Sequence, residues 1–108
     1  MTEDLHSRRF PGQVVVITGA AHGIGKACAL RFAPEGANVA CLDLAAEENE
    51  AVAAECAALG VESLALTCNV TEPESVQGCV QATLERWGRI DTLITSAGIY
   101  TGSPLAEV

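Results

Sequence analysis

Residues 13–25, QVVVITGAAHGIG, decide the fold because they join an apolar run to three glycines at the start of a helical pattern. Gln13 to Ile17 is a continuous run rich in β-branched residues, which is typical of a strand buried on both faces. The helical pattern runs from about Ile24 to Ala33, and its predicted buried stripe contains Ile24, Cys28, Ala29 and Phe32. A buried strand, a glycine turn and a helix in this order predict the first β–α unit of a parallel sheet.

The same alternation continues to the end of the chain. The patterns predict strands over Asn38 to Leu42, Leu64 to Cys68 and Thr92 to Thr95, and a second helix from Ala46 to Leu59 with Val52, Cys56 and Leu59 on its buried stripe. The sequence Thr71-Glu72-Pro73-Glu74 resembles a capping box that opens a third helix, which Gly88 ends and whose predicted buried face is Val76, Val80, Leu84 and Trp87.

Right-handed crossovers then place the first two helices on one face of the sheet and the third on the other, with strand order 3-2-1-4. The predicted fold is therefore α/β, an incomplete doubly wound parallel sheet of the Rossmann type over residues 13–108, after a polar tail over residues 1–12. Ligands bind where the winding reverses, which here is between strands 1 and 4. With nothing beyond strand 4, we expect an unpaired apolar edge and low stability in isolation.

The turn from Thr18 to Gly25 predicts an anion site. Gly19 allows a sharp turn after the strand, and Gly23 removes a side chain where a phosphate would approach the backbone. Gly25 is expected to let the helix sit close to the sheet. The free N–H groups of the first helical turn, together with the helix dipole, would then face a diphosphate.

A carboxylate completes this pattern, because Asp43 ends the second predicted strand eighteen residues beyond Gly25. It can accept hydrogen bonds from ribose hydroxyls, and it would repel a 2′-phosphate. No Lys or Arg stands beside it, and His22 is not a fixed cation, so NAD is favoured over NADP. Asp43 can also cap the next helix, and the two roles are compatible.

Composition excludes several classes of partner. The net charge of −8 argues against nucleic acid and anionic membranes, which need basic patches. No signal peptide or membrane-spanning stretch occurs, so a cytoplasmic location is expected. The five cysteines have no CxxC spacing and are interpreted as reduced and mostly buried. His6 and His22 have no second ligand at suitable spacing, so no metal site is predicted.

These motifs resemble the N-terminal half of the short-chain dehydrogenase/reductase family over Val14 to Gly98. The family motif TGxxxGxG is matched by Thr18, Gly19, Gly23 and Gly25, and the NAD-selecting acid falls on Asp43. The family's adenine-contacting Asp-Val falls on Asn69-Val70, where the Asn amide is expected to accept from the adenine amino group. The family's Asn-Asn-Ala-Gly falls on residues 95–98, of which Ala97 and Gly98 match. The resemblance implies a cofactor site of Thr18, Gly19, His22, Gly23, Ile24, Gly25, Asp43, Asn69, Val70, Ala97 and Gly98.

The resemblance also implies hydride transfer between the nicotinamide and a secondary alcohol or ketone, by a Ser–Tyr–Lys system with Tyr and Lys four residues apart. The only Tyr is Tyr100, with Pro104 four residues on, and the only Lys is Lys26. No catalytic residue is therefore assigned. The chain is interpreted as an N-terminal fragment that binds the dinucleotide, is inactive alone, and belongs to an enzyme expected to be a homo-oligomer.

Two other functions remain open. A methyltransferase that uses S-adenosylmethionine also places an acid after its second strand, although it needs no diphosphate-facing helix. It would usually carry an acidic residue in the first strand–turn segment, where this chain has Val16-Ile17-Thr18. A non-catalytic nucleotide-binding module is the third possibility.

Overall fold

The structure, a computed structural model, describes residues 9–95 and the backbone of residues 98–101. Strands and helices alternate as far as the fourth strand, which is followed by a fifth, and one short 3-10 turn, Ala33–Glu35, follows the first helix. The elements are β1 (Val14–Thr18), α1 (Gly23–Phe32), β2 (Asn38–Asp43), α2 (Ala46–Ala58), β3 (Ser63–Thr67), α3 (Pro73–Trp87), β4 (Thr92–Thr95) and β5 (Gly98–Thr101).

The sheet has the order β3-β2-β1-β4-β5, which confirms the predicted order 3-2-1-4. β1 pairs in parallel with β2 and with β4, and β2 pairs in parallel with β3. The register sets Ile17 opposite both Cys41 and Ile94, so β1 is the central strand. The observed bounds of the four predicted strands differ from the predicted ones by no more than one residue at each end. Hydrogen bonding to a neighbouring strand fixes each end.

The two faces of the sheet carry separate apolar clusters. On one face, Ala29 of α1 and Val52 and Cys56 of α2 pack against β1 and β2. On the other face, α3 is the only described helix, and it packs there with Cys79 buried. Two helices therefore lie on one side and one on the other, as the handedness of the crossovers predicted.

The prediction of an unpaired edge at strand 4 is wrong. β5 pairs with β4 in antiparallel fashion, with Thr92 opposite Thr101 and Thr95 opposite Gly98. β5 therefore covers the edge of β4 that would otherwise expose its backbone N–H and C=O groups.

The predicted capping box at the start of α3 is also wrong. Glu72 is the N-cap residue and makes no side-chain capping bond, whereas Pro73 stands in the first turn as expected. The Thr71 hydroxyl donates instead to Oδ1 of Asn69 at 2.6 Å. A local turn thus engages the Thr side chain before the helix begins.

Three predicted buried stripes need revision. Ile24 and Leu59 are exposed (81% and 44%); Ile24 lies in the first turn of α1, and Leu59 is the C-cap residue of α2. On α3 the buried positions are Cys79 and Thr83, and the predicted set is only partly buried: Val76, Val80, Leu84 and Trp87. Because α3 is the only described helix on its face of the sheet, its flanks stay open. The buried Thr83 hydroxyl donates to the Cys79 carbonyl at 2.8 Å.

Candidate functional site

A cleft opens at the carboxyl ends of β1 and β4, where the winding of the sheet reverses. Its volume is about 300 Å³, and its lining is Thr18, Gly19, His22, Ile24, Gly25, Ile94 and Thr95. The Thr18 hydroxyl donates to the Ile94 carbonyl at 3.5 Å and so connects the two strands at the floor of the cleft. The structure therefore brings together five of the predicted site residues: Thr18, Gly19, His22, Ile24 and Gly25.

The glycine turn is held tightly against the end of β2. The N–H groups of Gly19 and Ala20 both donate to the Leu42 carbonyl, at 2.8 and 3.3 Å. Gly19 has a φ of +71°, a conformation that an L side chain rarely adopts. A Cβ on Gly25 would stand only 2.7 Å from the Gly19 carbonyl carbon. The close approach that Gly25 permits is thus between α1 and the turn itself, not between α1 and the body of the sheet.

The first turn of α1 presents bare backbone amides. Its first backbone hydrogen bond runs from the Lys26 N–H to the His22 carbonyl at 3.2 Å, and the N-cap His22 makes no side-chain capping bond. Within residues 9–95, the amides of Gly23, Ile24 and Gly25 have no acceptor, and the turn carries no acidic side chain. A Cβ on Gly23 would meet nothing within 4 Å, so space is open there. These amide donors have no partners, lie beside open space and stand at the positive end of the helix dipole. They therefore suit an anion.

The Asp43 carboxylate joins the glycine turn to the start of α2. Its Oδ2 accepts from the Ala21 N–H at 3.1 Å, and its Oδ1 accepts from the Ala45 N–H at 2.9 Å. The helix-capping alternative raised by the sequence is wrong, because Ala45 is the N-cap residue of α2 and no side chain caps that end. The Asp43 carboxylate instead bonds the Ala45 N–H in a local turn before α2, and it also supports the glycine turn. A carboxylate offers about four acceptor positions, so two remain for further donors such as hydroxyls.

Asn69 and Val70 follow β3 at the same edge of the sheet, since Thr67 pairs with Asp43. The Asn69 Oδ1 accepts from both the N–H and the hydroxyl of Thr71, at 3.0 and 2.6 Å. Both lone pairs of that oxygen are used, so the expectation that it accepts from an adenine amino group does not fit this geometry. Val70 is 61% exposed.

Two predicted positions fall at the limit of what the structure describes. Ala97 lies outside the described residues, and Gly98 is described only as the first backbone position of β5. The sequence reasoning missed two residues that the structure brings to this edge. Ile94 lines the cleft, and Leu44 stands 62% exposed directly after Asp43. An apolar residue just past a strand-ending carboxylate is the signal that would have identified Leu44.

The described part of the chain contains neither a metal-binding group of side chains nor a membrane-spanning helix. Among residues 9–95, no group of three His, Cys, Asp or Glu side chains has an arrangement that could hold a metal ion. In that same part, no helix has the length and apolar character needed to cross a membrane.

Comparison with known proteins points to one family, in agreement with the geometry of the site. Residues 13–108 match the family model for short chain dehydrogenases. The chain is 39% identical over 100 residues to a sorbitol dehydrogenase of Cereibacter sphaeroides, and 40% identical over 100 residues to a D-threitol dehydrogenase of Mycolicibacterium smegmatis. Each match covers 93% of this chain and 38% of the relative, so the chain spans under two fifths of the relatives' length.

Solved structures of the same kind superpose on the chain. An NAD+-bound xylitol dehydrogenase gives a TM-score of 0.76 at 41% identity, covering 79% of this chain and 33% of that one. A hydroxysteroid dehydrogenase from Escherichia coli gives 0.76 at 31% identity, covering 86% of this chain and 37% of that one.

Proposed function

Because this chain belongs to the short-chain dehydrogenase family, we propose that it binds NAD as the cofactor-binding part of an oxidoreductase that interconverts a secondary alcohol and a ketone. The observation that carries the proposal is the pairing of unpartnered amides at the start of α1 with the Asp43 carboxylate on the next strand. The unpartnered amides suit a diphosphate, and the Asp43 carboxylate suits the ribose next to it.

The diphosphate would lie over the glycine turn. The amides of Gly23, Ile24 and Gly25 have no acceptor among described residues, and the open space at Gly23 admits a ligand to the backbone. The chain has a net charge of −8, so a bound anion needs directed backbone dipoles in place of a cationic cluster.

The choice of NAD over NADP rests on Asp43. Its carboxylate has acceptor capacity left for the two ribose hydroxyls, and a 2′-phosphate in the same place would meet a like charge. No ion pair in residues 9–95 involves Asp43, so its charge is not neutralised by a described cation. The NAD+-bound xylitol dehydrogenase among the similar structures supports the same choice.

The nicotinamide supplies the redox chemistry, since its ring takes or gives a hydride at C4. This chain would bind and orient the dinucleotide, with Ile24 and Ile94 giving the cleft apolar lining. The chain holds no Tyr followed four residues later by Lys, so we expect it to bind the dinucleotide without turning over an alcohol. The alcohol or ketone class of substrate is supported by relatives named sorbitol dehydrogenase and D-threitol dehydrogenase.

Two further parts of the proposal concern the whole enzyme. We propose a cytoplasmic location, based on the reduced state expected for the five cysteines, which are all free in the structure. We also propose a homo-oligomer, as the resemblance to the family implies.

Isothermal titration of the chain with NAD, NADP and S-adenosylmethionine tests the proposal. We expect NAD to bind at least tenfold more tightly than NADP, since each charge-assisted contact contributes about 1.5–3 kcal/mol. S-adenosylmethionine should give no heat of binding. Tight binding of S-adenosylmethionine with no binding of NAD would contradict the proposal and favour a methyltransferase.

A variant isolates the role of Asp43. Asp43→Ser should narrow the NAD-to-NADP affinity ratio by about tenfold, because the like charge is removed. Glu47→Ser, which removes an exposed carboxylate from α2, should leave the ratio unchanged. The ratio is informative even if both affinities fall, because a disturbed turn weakens both dinucleotides alike.

A further inference from the structure

Two large apolar side chains stand exposed beside Asp43. Leu44 (62% exposed) follows β2, and Val70 (61% exposed) follows β3, while the paired positions Asp43 and Thr67 align the two strands. Most apolar side chains of this size are buried at the described strands. Leu44 and Val70 follow the carboxyl ends of two neighbouring strands, one of which ends in the carboxylate proposed to bind the ribose. They provide apolar surface for the flat base attached to that ribose.

The polar group at this position is the Asn69 side chain, and its orientation is fixed. The Thr71 N–H points at one atom of the Asn69 amide at 3.0 Å, and an N–H can only donate, so that atom is the carbonyl oxygen. The Thr71 hydroxyl donates to the same oxygen at 2.6 Å. The Asn69 backbone is also held, since its N–H donates to the Ser75 hydroxyl at 2.9 Å.

The remaining polar group of this side chain is therefore a donor. The Asn69 Nδ2 has no hydrogen-bond partner among the residues that the structure describes, and the residue is only half-buried. A ligand beside it would meet two N–H hydrogens and no free lone pair. Position 6 of a purine carries an amino donor in adenine and an oxygen acceptor in guanine, so a free donor at this place is complementary to the 6-oxo group.

We propose that Asn69 makes this site accept a dinucleotide whose base carries oxygen at position 6 at least as well as it accepts NAD. The inference rests on the proposed dinucleotide function and concerns the base alone. The adenine amino group and the Asn69 amide would both be donors, and a donor left without an acceptor on desolvation costs binding free energy. An oxygen at the same position accepts from Nδ2 directly.

The substitution Asn69→Asp reverses the hydrogen-bonding polarity of this group and adds one negative charge. The carboxylate keeps an oxygen for both Thr71 donors, so the turn before α3 is retained, and its second oxygen replaces the Nδ2 donor with an acceptor. Asn38→Asp is the matched control, because it makes the same chemical change at the opposite end of β2, where Asn38 Oδ1 accepts from the Glu62 N–H at 3.0 Å.

Isothermal titration with NAD and with nicotinamide hypoxanthine dinucleotide, which has a 6-oxo purine, measures the ratio of the two dissociation constants. We expect the parent chain to bind the hypoxanthine form as tightly as NAD or more tightly. Asn69→Asp should shift the ratio about tenfold towards NAD, roughly the effect of one hydrogen bond. Asn38→Asp should leave the ratio at its parent value.

Three results would overturn the inference. A tenfold or greater preference of the parent for NAD, or an unchanged ratio in Asn69→Asp, contradicts it while the proposed function stands. Binding of neither dinucleotide by the parent chain overturns the proposed function and removes this inference with it.

Discussion

The Asp43 carboxylate accepts a hydrogen bond from the Ala21 N–H at 3.1 Å, so the side chain proposed to bind the ribose also holds the glycine turn in place. Ala21 is buried (4% exposed), so its N–H depends on the carboxylate as its acceptor. The two proposed subsites, for sugar and for diphosphate, therefore share one support.

Asp43→Ala should destabilise the chain even without a dinucleotide. It leaves the Ala21 and Ala45 amides without their acceptor, and a buried donor without a partner costs about 1–3 kcal/mol. We expect a loss of this size in the free energy of unfolding in urea, with faster hydrogen exchange at the Ala21 amide. Glu50→Ala, at an exposed position of α2, should change neither. If Asp43→Ala lost dinucleotide affinity at unchanged stability, the carboxylate would act on the ligand alone.

Gly25→Ala and Gly78→Ala should have effects of opposite sign. A Cβ at position 25 would lie 2.7 Å from the Gly19 carbonyl carbon, so α1 or the turn must move, at about 1–3 kcal/mol. A Cβ at Gly78, inside α3, would meet nothing within 4 Å, so Ala should stabilise the helix by about 0.5–1 kcal/mol. Thermal unfolding of both variants gives the comparison. Equal melting temperatures would show that the turn yields freely to the added methyl group.

Asp91 should make stability depend on pH in the acid range. Burial alone would raise the pKa of Asp91, but hydrogen bonds from Arg89 (2.7 and 2.8 Å) and from the Val14 N–H (2.8 Å) outweigh it and lower the pKa below its ordinary value of 3.8. A carboxyl group with a lowered folded pKa stabilises the fold above its unfolded pKa and loses that contribution as the pH falls through the folded value.

The measurement is urea unfolding of the parent chain and of Asp91→Asn from pH 7 downwards. Asp91→Asn should be less stable at pH 7, and the difference from the parent should shrink as the pH falls below 3.8. Glu50→Gln, which removes an exposed carboxylate, is the control for general charge effects. A difference that stays constant across this range would mean that the ionised form of Asp91 has no special role.

The cysteines should differ in reactivity. All five are free; Cys28 is partly exposed, and Cys41, Cys56, Cys68 and Cys79 are buried. Burial and the adjacent Cys68 raise the pKa of Cys79 to about 11, and a hydrogen bond with Cys56 together with burial raises the pKa of Cys41. Because a reagent must reach the sulfur and the other four thiols are buried, a disulfide reagent at pH 8 should react quickly with Cys28 alone. Cys28→Ser should abolish the fast phase, and a second fast thiol would contradict the prediction.

Much of the scaffold was predictable because its signals are local. The β-branched run at Val14 to Ile17 and the glycines that follow specify a buried strand and a turn whatever surrounds them. The predicted buried stripes of the helices were less reliable. Periodicity assigned Ile24 to a buried stripe, but periodicity does not say where a cleft opens, and Ile24 is an exposed residue of the cleft lining.

The site was predictable as a set of positions and not as a set of contacts. The sequence indicated Asp43 from its place at the end of a strand, and the family resemblance indicated Asn69. It did not indicate that Thr71 occupies the Asn69 oxygen, because Thr71 was assigned to a capping box that does not form. Competition between two local hydrogen-bonding patterns depends on the backbone angles at the end of β3, and a residue pattern does not contain those angles.

By itself, the sequence determined the alternation of strands and helices, the strand order β3-β2-β1-β4 and the position of the glycine turn. These follow from periodicity, from glycine at a left-handed position, and from the handedness of β–α–β connections. Only the tertiary structure decided that Asp43 bonds to Ala21, that β5 covers the edge of β4, and which face of the Asn69 amide is free. The physical reason is that a hydrogen bond depends on distance and direction between groups, and these exist only once the strands have been aligned.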